Sequence, residues 1–242
     1  MNTTLPKLIA FGLALTAVAF LTRYYPANIW ALLTVAVLVN IISAPIGFYT
    51  VEALANIKRL PLLFKTRIIL RDQYVRLSFS YLIRIKVKDK YLLVKNRTGD
   101  YFQLVGGAYK RYYSSEQRFK KYKVKSDRQF KTEDGIAKND LRLQVPGKYV
   151  LDIINWFHSK EDREISQWRE FCEELLSTDI LDKTLFRYID YKYVDTLQTP
   201  LQKAKHLDCQ EILIYEIFDL IPSEEQVKAL EKLLDSGIND KI

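Results

Sequence analysis

The six residues Arg169-Glu170-Phe171-Cys172-Glu173-Glu174 constrain this chain more than any others, because at helical spacing they separate charge from apolar surface. Advancing about 100° per residue, Glu170, Glu173 and Glu174 fall within one arc, while Trp168, Phe171, Cys172 and Leu175 gather on the opposite side. A helix divided in this way lays its back on a core and turns an anionic front outward. Glutamates three and four apart repel by roughly 0.2–0.5 kcal/mol per pair, and no Lys stands between Glu170 and Leu176 to relieve them. Two readings follow. A divalent cation could gather the three carboxylates, with Mg²⁺ or Mn²⁺ suiting oxygen ligands and water better than Zn²⁺, or the front is an ordinary solvated acidic face.

The segment upstream reads as strands. Val75 to Val87 alternates in polarity, Lys88-Asp89-Lys90 can turn the chain, and Tyr91 to Lys95 can pair back before Asn96-Arg97-Thr98-Gly99-Asp100 turns it again. The next strand, from Tyr101, ends in Gly106-Gly107, where the missing Cβ atoms allow a ligand or another chain segment to approach the backbone. Downstream, Phe186 to Leu197 and Gln210 to Ile221 are rich in Tyr, Ile and Val, and Ser223 is placed to cap a final helix.

Taken together, these residues resemble a Nudix domain over about residues 74 to 235. In that family a strand hairpin ending in a glycine pair precedes a helix whose core reads Arg-Glu-apolar-x-Glu-Glu, with a further Glu eight residues before the Arg, here Glu161. The resemblance implies an α/β fold, a Nudix-like α/β/α sandwich with a mixed sheet. It implies Glu173 and Glu174 as metal ligands, Glu170 as ligand or general base, and Arg169 as the residue that orients a carboxylate by bidentate pairing. The departures are specific. Asn155 stands where the box opens with Gly, the closing Gly near Leu176 is absent, and Val105 replaces a Pro. A long insert from Ala108 to about Gly147 also separates the glycine pair from the box. Such an insert-bearing type is similar to the SMODS-associated Nudix proteins of CBASS, the bacterial cyclic-oligonucleotide antiphage systems, which implies an effector or sensor.

The first fifty residues carry no charge from Lys7 to Arg23, nor from Arg23 to Glu52, and predict a two-helix transmembrane hairpin at about 5–25 and 27–51, within residues 1–57. The basic run Lys58, Arg59, Lys65, Arg67 and Arg71 then forms a juxtamembrane linker over 58–73 that would lie on lipid headgroups of the bilayer. By the positive-inside bias the expectation is a multi-pass protein of the bacterial inner membrane with both termini in the cytoplasm. Asn40 is the best candidate for a contact in a homo-oligomer, since a buried amide can bond across a helix interface. Cys172 and Cys209 lack CxxC spacing, which agrees with a reducing compartment and no disulfide framework.

A net charge of +8 is concentrated in that linker and in the insert, where Lys110, Arg111, Arg118, Lys120, Lys121 and Lys123 alternate with Tyr109, Tyr112, Tyr113, Phe119 and Tyr122. Basic groups meet phosphates and aromatic faces stack on bases, so Lys110 and Arg111, with Gly106 and Gly107, are candidate nucleotide-binding residues. The alternative is a surface hairpin whose aromatics pack inward. No motif for sequence-specific nucleic acid, no catalytic triad and no zinc spacing is present, and His158 and His206 are isolated. The leading expectation is an effector whose domain senses a cyclic oligonucleotide and whose hairpin disturbs the membrane. The alternative is a metal-dependent hydrolase of nucleoside diphosphate derivatives, and a third class is a non-catalytic adaptor.

Overall fold

The computed structural model describes residues 16–26, 28–30, 32–37, 39, 59–96, 100–127, 139–205 and 207–237. The chain divides into two units, Met1–Pro61 and Leu62–Ile242. In the first, the described helical stretch 16–24 ends at Tyr25-Pro26. Among the described residues no helix is long and apolar enough to cross a membrane. This corrects two expectations, the transmembrane hairpin ahead of the α/β domain and the multi-pass placement in the inner membrane. Residues 5–15 of the first expected span, and Asn40 with the rest of the second span beyond it, lie outside the described residues.

The second unit is built on a mixed sheet. In chain order its elements are α1 (Leu60–Phe64) with a π-helical turn at Lys65–Ile69, β1 (Tyr74–Arg84), β2 (Lys86–Val87), β3 (Lys90–Tyr91), β4 (Val94–Lys95), β5 (Phe102–Gln103) and β6 (Val105–Ala108). Next come α2 (Glu116–Lys121), β7 (Lys125–Ser126), β8 (Arg142–Pro146), α3 (Val150–Ser159) and α4 (Trp168–Phe171), which continues as a π-helical turn at Cys172–Leu176. The chain closes with β9 (Asp190–Gln198), β10 (Gln202–Lys203), β11 (Gln210–Ile221) and α5 (Glu224–Asp235).

The strand β1 lies at the centre. Along one edge it pairs in parallel with β11, and along the other it pairs antiparallel with β8 through its first half and with β6 through its second. Phe79 stands at the division, where its amide donates to the Leu141 carbonyl and its carbonyl accepts from the Tyr109 amide, each at 3.0 Å. The free edge of β11 is filled by β10 and β9. One face of β1 presents Val75, Leu77, Phe79, Tyr81 and Ile83, all fully buried. Phe79 stacks on Phe157 of α3 at 4.3 Å between ring centroids. At the C-terminal end Ser223 caps α5 in a reciprocal box with Gln226, whose side-chain amide also donates to the Leu185 and Tyr188 carbonyls.

The insert is woven into this sheet. Its β7 and β8 extend the sheet beyond β1, and Phe119 of α2 packs edge-on against Trp156 of α3 at 5.2 Å. Tyr109 and Phe119 are buried, while Tyr112 and Tyr113 are exposed. The aromatics of the insert therefore serve the core in part, and residues 128–138, including Phe130, lie outside the described residues.

On the opposite face of β1 the guanidinium of Arg76 bridges two parts of the chain far apart in sequence. Its Nε donates to Asp127 at 2.6 Å, just after β7, and its Nη1 donates to Glu211 of β11 at 2.8 Å. Both carboxylates are buried. Removing one partner of a buried ion pair strands the other charge, so Arg76→Ala is expected to cost about 3–5 kcal/mol of unfolding free energy. Denaturant unfolding followed by tryptophan fluorescence measures it, and a loss near zero would mean that solvent already screens the pair.

Candidate functional site

The glycine pair and the acidic helix meet. β6 carries Gly106 and Gly107 along the second half of β1, and α4 runs past them with Phe171, Leu175 and Leu176 buried beneath it. The Gly106 amide donates to Glu174 Oε2 at 2.9 Å. A Cβ on Gly107 would collide with the Glu170 carboxylate, and one on Gly106 with the Tyr81 backbone carbonyl. These are the close approaches for which glycine is needed. The Glu170 amide donates to the Tyr81 hydroxyl at 3.3 Å. Burial pushes the Tyr81 phenol well above its ordinary range, so it stays protonated beside the carboxylates.

Arg169 organises the front of the helix. Its Nε and Nη2 donate to the two oxygens of Glu164, each at 3.1 Å, Nη2 also donates to the Ala108 carbonyl at 2.8 Å, and Nη1 donates to Glu170 at 2.6 Å and to Glu173 at 3.4 Å. Burial works against this charge, but the hydrogen bonds to Glu164 and the field of Glu170 outweigh it and hold the guanidinium above its ordinary pKa. One cation is thus shared by three carboxylates in a partly buried place, where such pairing is stronger than in bulk water.

Four candidate residues, Gly106, Gly107, Arg169 and Glu170, are brought together here, with Glu173 and Glu174 beside them. The π-helical turn changes their phasing. The Ser177 amide donates to the Cys172 carbonyl at 2.8 Å, five residues back, so the turn holds an extra residue relative to the expected α-helix. Glu174 is directed to the glycine strand, and Glu173 lies at the rim with its side chain 32% exposed. Lys110 and Arg111 are occupied within the protein. The Lys110 ammonium lies 3.6 Å from Asp140, and Arg111 donates to Glu116 at 2.6 Å while lying over the Phe119 ring.

Glu164 is the residue that motif spacing missed. Glu161, eight before the Arg, is exposed and lies 3.6 Å from Arg118. The carboxylate that meets Arg169 is five before it, held because the Glu164 amide donates to the Lys110 carbonyl at 2.8 Å and the Lys110 amide donates to the Glu164 carboxylate at 3.1 Å. An antiparallel bridge between Arg111 and Arg163 continues this ladder. Glu164 stands in the same loop as Glu161, and pairing with the insert is what selects it.

The carboxylates suit a hard divalent ion by donor type, yet their placement does not fit one. Among the described residues no group of three or more His, Cys, Asp or Glu side chains is arranged to hold a metal ion. The Arg169 guanidinium lies within bonding distance of Glu164, Glu170 and Glu173, and the Gly106 amide uses an oxygen of Glu174.

The two glycines are expected to respond differently to the same added methyl group. Gly106→Ala, with φ at +150° and backbone in its way, should lower the melting temperature by several degrees. Gly107→Ala meets only the end of a flexible side chain and should leave melting nearly unchanged while displacing Glu170. Differential scanning calorimetry of the two variants separates them, and equal effects would contradict this geometry.

A family model described as the SMODS-associated NUDIX domain matches residues 74–242, which takes in β1, the glycine pair, the insert, the acidic helix and α5. No curated protein and no solved structure matches the chain. With more than half of its length covered by that match, and with the helix and glycine strand apposed as described, the chain belongs to the SMODS-associated NUDIX family.

Proposed function

We propose that this chain is an effector or sensor of a bacterial cyclic-oligonucleotide antiphage system, CBASS, and that its Nudix-like domain recognises a cyclic oligonucleotide. Family membership supports the setting. The observation that carries the reading is Arg169, whose guanidinium is shared among Glu164, Glu170 and Glu173. An incoming phosphate competes with these carboxylates for the same forked donor, and Glu173, with the longest bond and the most exposed side chain of the three, is the first to yield. Exchange of one anion for another at Arg169 gives the ligand a differential contact between two arrangements of the helix, which any sensor requires.

A hydrolase of nucleoside diphosphate derivatives is the second reading, and its support is the gathering of Glu170, Glu173 and Glu174 beside Gly106-Gly107. That chemistry would need Mg²⁺ or Mn²⁺ at Glu170, Glu173 and Glu174, and hence release of Arg169 from Glu170 and Glu173.

Calorimetric titration of cyclic di- and trinucleotides into the full chain, with Mg²⁺ and again with chelator, distinguishes the two while product is followed by chromatography. The expected result is binding that survives chelation, yields no product, and weakens at least tenfold in Arg169→Gln. Absence of binding to every member of the panel would remove the sensor reading. Metal-dependent nucleoside monophosphate release that is lost in Glu173→Gln would establish the hydrolase in its place.

A further inference from the structure

We infer that Arg163 and Glu216 form a buried register lock, which fixes the loop ahead of the acidic helix in the position from which Glu164 reaches Arg169. Glu216 occupies a core-facing place on β11 between Ile214 and Phe218, where the strand's alternation calls for an apolar residue. Arg163 is 1% exposed. Its guanidinium carbon lies 3.9 Å from the centroid of the Phe157 ring and 4.7 Å from that of Tyr109.

The fork of this arginine sets the loop. Nε donates to the Phe157 carbonyl at the end of α3 at 2.8 Å, and Nη1 donates to the Glu164 carbonyl at 2.7 Å. Nη2 lies 3.7 Å from Glu216 Oε1 and has no hydrogen-bond partner among the described residues. The other Glu216 oxygen accepts from the Tyr109 hydroxyl, which accepts in turn from the Gln167 side-chain amide at 2.9 Å. Gln167 immediately precedes α4, and Tyr109 follows β6 directly. The cluster therefore ties α3, the loop, the glycine strand and the acidic helix to β11.

Desolvation makes such a pair a poor source of stability, and apolar residues of similar volume commonly do as well or better. Burial lowers the Arg163 pKa against the opposing pull of Glu216, in keeping with that cost. What apolar packing lacks is direction. Two carbonyls on a planar fork admit one placement of residues 163 and 164, whereas a methionine among rings tolerates several. Glu164 is the next residue, so its reach to Arg169 is set here. This inference goes beyond ligand recognition and does not depend on it.

Hydrogen exchange by mass spectrometry on the full chain, with no ligand added, tests it. In the double variant R163M/E216L, segments 105–108 and 164–170 should exchange at least tenfold faster. Segment 75–79 of β1 is the control and should keep its protection. R163K retains the charge without the fork and should accelerate the same two segments. Parental exchange in either folded variant would overturn the lock. If the double variant does not fold, R163K decides by the same segments.

Discussion

The candidate site depends on the double use of β1. One edge is committed along nearly its whole length to β11, and the other is shared between β8 and β6 with Phe79 at the join. A strand buried on one face and paired on both edges cannot slip by a residue without moving every apolar side chain out of the core. The glycine pair is held in register by that constraint. So is Glu216, which reaches the Arg163 cluster only because β11 is fixed beside β1 at Tyr81.

Electrostatics then sorts the site into two layers. Beneath the helix, Arg163 and Glu216 are enclosed with Tyr109 and Gln167. Above it, Arg169 is half-enclosed and shared among three carboxylates. In the lower layer Arg163 donates to two backbone carbonyls, whereas in the upper one Arg169 donates to one and otherwise joins side chains, one of them at the rim. Sharing Arg169 between Glu170 and Glu173, with Glu174 bonded to the Gly106 amide, eases the repulsion among three clustered glutamates without lysines between them.

Much of this was legible in the sequence, for identifiable reasons. The hairpin strands, the glycine pair, β11 and the Ser223 cap are local patterns, and Arg169 to Glu174 is a motif whose spacing alone marks it. Glu164 was not legible, because its role is assigned by a backbone ladder with the insert, and that pairing leaves no periodic trace. Nor was the part of β7 and β8 in the main sheet, since two- and five-residue strands are too short for alternation to identify. The π-helical turn escaped for a related reason, as one added residue changes phase without changing composition. Glu216 did leave a sign, a charged residue on the apolar face of a strand, though its partner Arg163 could not be read from it. The apolar run at the N-terminus led furthest astray, since among the described residues no helix is long and apolar enough to cross a membrane.

The pairing of β1 with β11 also dictates when this domain can close during synthesis. Arg76 and Glu211, partners in that pair, are separated by 135 residues. At ribosomal rates of about 5–20 residues per second, β1 waits on the order of ten seconds for its parallel neighbour to emerge. Throughout that interval one edge of an eleven-residue strand with an apolar face waits uncovered by β11, an exposure built into the topology.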